Sequence, residues 1–194
     1  AIAGAPLTAP AMALGDPAGL GPLALENRGA APVEVTLGAT AAPVEPPPAG
    51  GTAYTIRRSY FTPEGLPVDP SRLAQGSRLV AVLEVAPLGE GGGRLIVTDP
   101  LPAGFEIDNP NLVSAGEIAG LDWLGGLEGA EMAEFRQDRF SAAVTWDSAD
   151  PFRLAYRLRA VTPGQFSHPA ATVEDMYRPE RRGWTGAGNV EITR

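Results

Sequence analysis

Asp175-Met176-Tyr177-Arg178-Pro179 sets a large phenol and a soft thioether between charges. A chain that needed only a turn has simpler residues for one. The plain structural reading is a strand-end turn whose Tyr177 caps the core. The other reading is a loop built to make contact, and both stay open on the residues alone.

Residues with chemistry of their own are sparse elsewhere. His168 is the only histidine and Pro169 follows it. Without a Gly-x-Ser-x-Gly elbow it reads as a surface or strand-edge histidine rather than a triad member. There is no cysteine, so a disulfide, a thiolate metal site and a cysteine nucleophile are excluded, and zinc would need carboxylates around His168. Gly89–Gly93 leads into Arg-Leu-Ile-Val-Thr, a strand pattern. A phosphate loop needs a helix N-terminus behind it, so this glycine run is expected to be a hairpin loop. Asp108, Asp122, Asp147 and Asp150 lack EF-hand spacing, which leaves at most a loose calcium site at the Asp147–Asp150 turn. Glu128, Glu131 and Glu134 have helical spacing and read as a solvated acidic patch. With no nucleophile–base pair in view, the chain is expected to be no enzyme and to need no cofactor.

Composition narrows the partners. The net charge is −8, which repels a polyanion, so nucleic acid is not expected. All 15 basic residues are arginine. The absence of lysine removes Schiff-base chemistry and a lysine–asparagine isopeptide crosslink. Glycine and proline make up roughly 23% of the chain, just under the range of about 25–30% where low-complexity disorder sets in. No apolar run approaches the ~18–20 residues of a membrane helix. Residues 1–14 are apolar but lack the basic start of a signal peptide, and read as a chain that begins inside a longer protein.

The elements that must position the loop are strands. Phe152, Leu154, Tyr156, Leu158 and Ala160 alternate with Arg153, Arg157 and Arg159, the period-2 pattern of one oily and one wet face. The arginines are expected on the solvent face of an edge strand, where charge discourages sheet-to-sheet pairing. Tyr54–Phe61, Leu79–Val85, Leu95–Thr98, Phe140–Trp146, Phe166–Val173 and Val190–Ile192 read likewise. Two short strands, Leu23–Leu25 and Val33–Leu37, flank a turn signal at Asn27-Arg28-Gly29. Residues 62–77 form a turn-rich connection, and a helical turn is possible around Trp123, although neighbouring glycines argue against a long helix. Three consecutive prolines in APVEPPPAGG, residues 42–51, cannot serve a sheet ladder and mark a stiff linker. The expected architecture is all-β: an antiparallel β-sandwich of about nine strands with at most one short helix.

At this point a resemblance can be stated. YRLRAVTPGQFSHPAATVEDMYRPE, with Tyr54–Tyr60, VTDPLPAGFEIDNPNL at 97–112 and the run Phe135–Phe140 followed by Ala142-Ala143-Val144, resembles the C-terminal macroglobulin-type domain of bacterial alpha-2-macroglobulins. The resemblance divides the chain into 1–50, partial CUB-like strands with the Pro-rich linker, and 51–194, the macroglobulin-type β-sandwich. Poor order is expected over 1–50, since a few short strands bury too little surface.

What the resemblance implies is a piece of a protease inhibitor with endopeptidase inhibitor activity, a trap used in bacterial defence. The parent is expected in the periplasm, anchored to the inner membrane as a lipoprotein. A cleaved bait region triggers rearrangement, and a Cys–Gln thioester acylates the protease. This chain has no cysteine, so the bond lies in another domain. The implied partners are the thioester domain and neighbouring macroglobulin domains of the parent, with target proteases met indirectly. Met176 and Tyr177 match a pair that covers the reactive bond, and Asp175 and Arg178 are expected to hold their loop. A ring and a thioether make a dry lid against water and small amines. The receptor-binding lysines of animal relatives cannot be carried over. The alternative class is a structural β-sandwich module of a bacterial cell-surface repeat protein, which VTDPLPAGFE also resembles.

Overall fold

The computed structural model describes residues 24–38, 45–89, 91–108, 123–124 and 130–194. The expected irregular start, Leu23, Asp122, Glu128 and part of the linker lie outside them. The chain divides into two compact units, 1–45 and 46–194.

In the first unit, Asn27 closes its turn as expected: its side-chain oxygen accepts from the Gly29 N–H at 2.9 Å and its amide donates to the Ala31 carbonyl at 2.8 Å. Residues 33–37 form no strand, contrary to the sequence pattern, and Val33 and Leu37 are exposed. An alternating pattern makes a strand only where a neighbouring strand accepts its ladder.

The second unit is a set of antiparallel sheets with one parallel pairing. Its strands are β1 (Gly50–Gly51), β2 (Tyr54–Phe61), β3 (Pro67–Val68), β4 (Arg72–Ala74), β5 (Arg78–Pro87), β6 (Gly93–Pro100) and β7 (Phe105–Ile107). They continue as β8 (Met132–Phe135), β9 (Arg139–Trp146), β10 (Phe152–Ala160), β11 (Gly164–His168), β12 (Thr172–Asp175), β13 (Arg178–Trp184) and β14 (Gly188–Thr193). One sheet runs β1-β13-β12-β6-β9-β8, a second β3-β2-β5-β10-β7, and a third β11-β14-β4, in which β14 pairs β4 in parallel. Among the described residues there is no helix, and Trp123 sits in a turn.

The core follows from the period-2 pattern. Leu95 and Val97 of β6, Phe140, Ala142 and Val144 of β9, and Val173 of β12 are buried. They pack in one cluster with Tyr54, Ile56 and Tyr60 of β2, Leu79, Ala81, Leu83 and Val85 of β5, and Phe152, Leu154, Tyr156, Leu158 and Ala160 of β10. The Phe140 and Tyr156 rings stack at 4.6 Å across the sandwich. Leu73, Val190 and Ile192 of the third sheet join the same cluster.

Several expectations need correction. Residues 89 and 91–93 join β5 to β6, which lie in different sheets, so the glycine run is an inter-sheet link and not a hairpin loop. β10 is no edge strand: β5 pairs it along its length and β7 pairs residues 158–160. The segment Phe166–Val173 splits into β11 and β12 of different sheets, because Pro169 lacks an N–H to continue a ladder. The 62–77 connection carries β3 and β4. β5 buries a second face as well, with Val80 and Val82 covered beside Phe61 and Trp123.

Candidate functional site

β12 and β13 form a hairpin that pairs Asp175 with Arg178 and leaves Met176-Tyr177 as its two-residue tip. Such loops favour Asn-Gly or Gly-containing pairs, and Met-Tyr has no intrinsic taste for them. Asp175 supplies what the tip lacks. One carboxylate oxygen accepts from the backbone N–H of Tyr177 at 3.0 Å and of Arg178 at 3.2 Å. The other accepts from the Arg178 guanidinium at 2.9 and 2.7 Å. A side chain that bonds the backbone two and three residues on imposes a turn without glycine.

The Asp175 carboxylate is buried although it sits at the end of its strand, which β13 and β6 flank. Burial alone would push its carboxyl up; the Tyr177 N–H and the Arg178 guanidinium and N–H more than offset this and hold it below the usual range. Beneath it lies Gly93, where an added Cβ would stand 3.0 Å from both the Asp175 carboxylate and the Tyr54 hydroxyl. That hydroxyl donates to the Gly92 carbonyl at 3.2 Å. The glycine run thus permits the close approach that seats Asp175.

On this base the two apolar residues face outward: Met176 is 46% exposed and Tyr177 75% exposed. The Met176 N–H donates to the Arg94 carbonyl at 2.8 Å. All four residues singled out in the sequence, Asp175, Met176, Tyr177 and Arg178, are therefore gathered at one hairpin end. Arg178 forms part of the tip's base, with its side chain half-exposed. After Glu174↔Arg182 the β12–β13 register shifts, leaving Pro179, Glu180 and Arg181 as a bulge. Thr52 ties that bulge down, its hydroxyl bonding the Glu180 carbonyl and accepting from the Arg182 N–H at 3.0 Å.

A second polar cluster lies in the core. Arg58 pairs with Asp99 and donates to the Pro169 carbonyl at 2.9 Å, and the Tyr156 hydroxyl donates to Asp99 at 2.7 Å. Burial pushes the Asp99 carboxyl up, against the pull of Arg58 and Tyr156. His168, expected at the surface or at a strand edge, ends the edge strand β11 but is buried, with its Nε2 2.8 Å from the Tyr60 hydroxyl. Loss of solvent, together with the Arg58 charge, lowers its pKa to about 3. Residues 41 and 108 positions apart meet here, which no local pattern announces. The cluster joins β2, β6, β10 and the end of β11, and it is structural: each member is satisfied by another or by backbone. An open cleft of about 910 Å³ beside β2 is lined by Arg57, Tyr60, Glu84 and His168, and by none of the four tip residues.

Among the described residues no group of three or more His, Cys, Asp or Glu side chains is placed to hold a metal. The Asp147–Asp150 turn is tied internally instead, with the Ser148 hydroxyl on the Asp150 carboxylate at 3.1 Å and the Trp146 indole N–H on the Asp150 carbonyl at 2.8 Å. Glu131 and Glu134, read as a solvated acidic patch, are exposed, and their helical spacing falls on strand β8 and the residue before it.

A sandwich of antiparallel sheets of this kind is a macroglobulin-type domain. More narrowly, the chain belongs to the bacterial alpha-2-macroglobulins: residues 54–180 match the family described as Bacterial Alpha-2-macroglobulin MG10 domain. It is 34% identical over 173 residues to an alpha-2-macroglobulin of Xylella fastidiosa, covering 86% of this chain and 10% of that protein. With the Escherichia coli alpha-2-macroglobulin it shares 33% identity over 182 residues, 89% of this chain and 11% of that one. The native E. coli protein from its MG7 domain to the C-terminus superposes with a TM-score of 0.69 at 31% identity, over 78% of this chain and 25% of that structure. Salmonella alpha-2-macroglobulin reacted with methylamine gives a TM-score of 0.68 at 31% identity, over 78% and 10%. The chain thus spans about a tenth of the length of its curated relatives.

Proposed function

We propose that this domain is a non-catalytic part of a bacterial alpha-2-macroglobulin protease inhibitor, packing on the thioester domain of its parent and shielding the thioester with Met176 and Tyr177. The carrying observation is the tip itself: two large apolar side chains held outward on a hairpin end that a buried carboxylate fixes. An exposed ring and thioether are of little use to this fold's own core, and well suited to a surface that must be kept dry. A thioester lasts only where water and small amines are excluded. The chain has no cysteine, so the bond it guards belongs to a neighbour. Target proteases are met indirectly, through the acylation that follows release of the shield.

Family membership favours this reading over a cell-surface repeat module. The same reading places the parent in the periplasm, lipid-anchored to the inner membrane, which fractionation of the native organism tests. For the shield, Tyr177→Gly in the full-length parent is expected to speed methylamine-driven thiol release. Kinetics equal to those of the parent would refute it.

A further inference from the structure

Resting on that reading, we infer that Thr52 is a positioning residue for the shield, clamping the strand that leads away from the tip. The need for a clamp follows from the register. β12 and β13 pair in step from Thr172↔Trp184 to Glu174↔Arg182, and the next pair is Asp175↔Arg178. Pro179, Glu180 and Arg181 thus have no partner in β12, and proline has no N–H to offer one. A bulge of this kind disrupts the ladder locally, here at the point from which Arg178 and the tip extend.

Thr52 supplies the missing bonds from the other side of β13. β1 ends at Gly51, opposite Gly183. The Thr52 N–H then donates to the Arg182 carbonyl at 2.8 Å, its hydroxyl donates to the Glu180 carbonyl, and the same oxygen accepts from the Arg182 N–H at 3.0 Å. One residue therefore holds both the middle of the bulge and the place where the ladder resumes. Tyr54, two residues on, extends the hold to the floor of the tip. The Arg181 guanidinium lies over its ring, 5.7 Å from the centre. Its hydroxyl bonds the Gly92 carbonyl at 3.2 Å and stands with the Asp175 carboxylate against Gly93. Asp175 fixes the shape of the turn, and Thr52 fixes where β13 carries it. A tip held in place before docking loses less entropy on docking than a mobile one. Thr52 is itself exposed, so its hydroxyl can be removed without disturbing the core.

Thiol release by methylamine in the full-length parent tests the clamp. Thr52→Val keeps the branched shape and deletes the hydroxyl. It is expected to speed release about three- to tenfold, the size of one net hydrogen bond. Thr52→Ser restores the hydroxyl and should release at close to the parental rate. Thr193→Val deletes a hydroxyl bond to the Leu73 carbonyl in the third sheet. It controls for a general loss of stability and should leave the rate unchanged. Hydrogen exchange over residues 176–178 of the same full-length proteins reads the tip directly, since their N–H groups bond Arg94 and Asp175 rather than Thr52. It should rise in Thr52→Val and stay parental in Thr52→Ser. If Tyr177→Gly speeds release and Thr52→Val does not, the clamp is overturned and the shield stands. Equal acceleration by Thr52→Val and Thr193→Val, or no recovery in Thr52→Ser, makes Thr52 an ordinary stabilising residue and overturns its positioning role. If Tyr177→Gly is silent, the shield falls and Thr52 has nothing to position.

Discussion

Asp175 and Arg178 close the exposed tip from below: one carboxylate oxygen takes two guanidinium hydrogen bonds, at 2.9 and 2.7 Å, while the other takes the Arg178 N–H at 3.2 Å. Three bonds to one neighbour, and a fourth to the Tyr177 N–H, make the turn a property of a single side chain.

Asp175→Ala should therefore loosen the tip without unravelling the sandwich. A buried acceptor is lost, but water reaches the freed N–H groups, so the cost should be about 1–2 kcal/mol. Asp175→Asn keeps one acceptor oxygen for the two N–H groups and should cost about half as much. Urea unfolding of the two variants, with hydrogen exchange at Tyr177 and Arg178, measures both effects. A cost near zero in both would mean that the strands alone hold the hairpin.

The depth of sequence legibility varies with the range of the contacts. β2 and β10 were readable because each buries one face over eight or nine residues, so Tyr54, Ile56 and Tyr60, or Phe152 through Ala160, repeat with period 2. The residues of the tip were readable too, since Asp175 acts on residues two and three positions away. β13 escaped: its Arg178–Trp184 segment buries only Gly183, and backbone pairing to β12 and β1 makes it a strand. Gly183 itself lies where a Cβ would stand 2.3 Å from the Tyr54 carbonyl. The Arg94–Glu131 ion pair escaped for another reason. It needs β9 to bring β6 and β8 into one sheet, and a helical spacing of glutamates pointed elsewhere.

His168 makes stability pH-dependent in a defined direction. Its folded pKa of about 3 lies below the ~6.5 of an unfolded chain. Below about pH 6.5 the unfolded chain takes up a proton that the folded one refuses. The contribution from this group is therefore complete above about pH 6.5 and shrinks as the pH falls toward about 3. Between about pH 6.5 and 5 the loss should approach 2 kcal/mol. His168→Gln keeps a partner for the Tyr60 hydroxyl and does not titrate, so its unfolding free energy should be flatter over that interval. Parallel pH profiles for the two proteins would remove His168 as the cause.

Arg58 and Asp99 should show strong energetic coupling, because each is what makes the other tolerable in the core. Their side chains are 5% and 1% exposed. Asp99→Ala leaves the guanidinium without its counter-charge and the Tyr156 hydroxyl without its acceptor, a loss of about 3–5 kcal/mol. Arg58→Met leaves a buried carboxylate and an unsatisfied Pro169 carbonyl, at similar cost. In the double variant no charge is stranded, so its loss should fall well below the sum of the two, by about 2 kcal/mol or more. The carbonyl and the hydroxyl remain unpaired, which keeps the double variant below the parent in stability. A double-mutant cycle by urea unfolding gives the coupling directly, and additive losses would show that the pair does not act as one unit in joining β2 to β6.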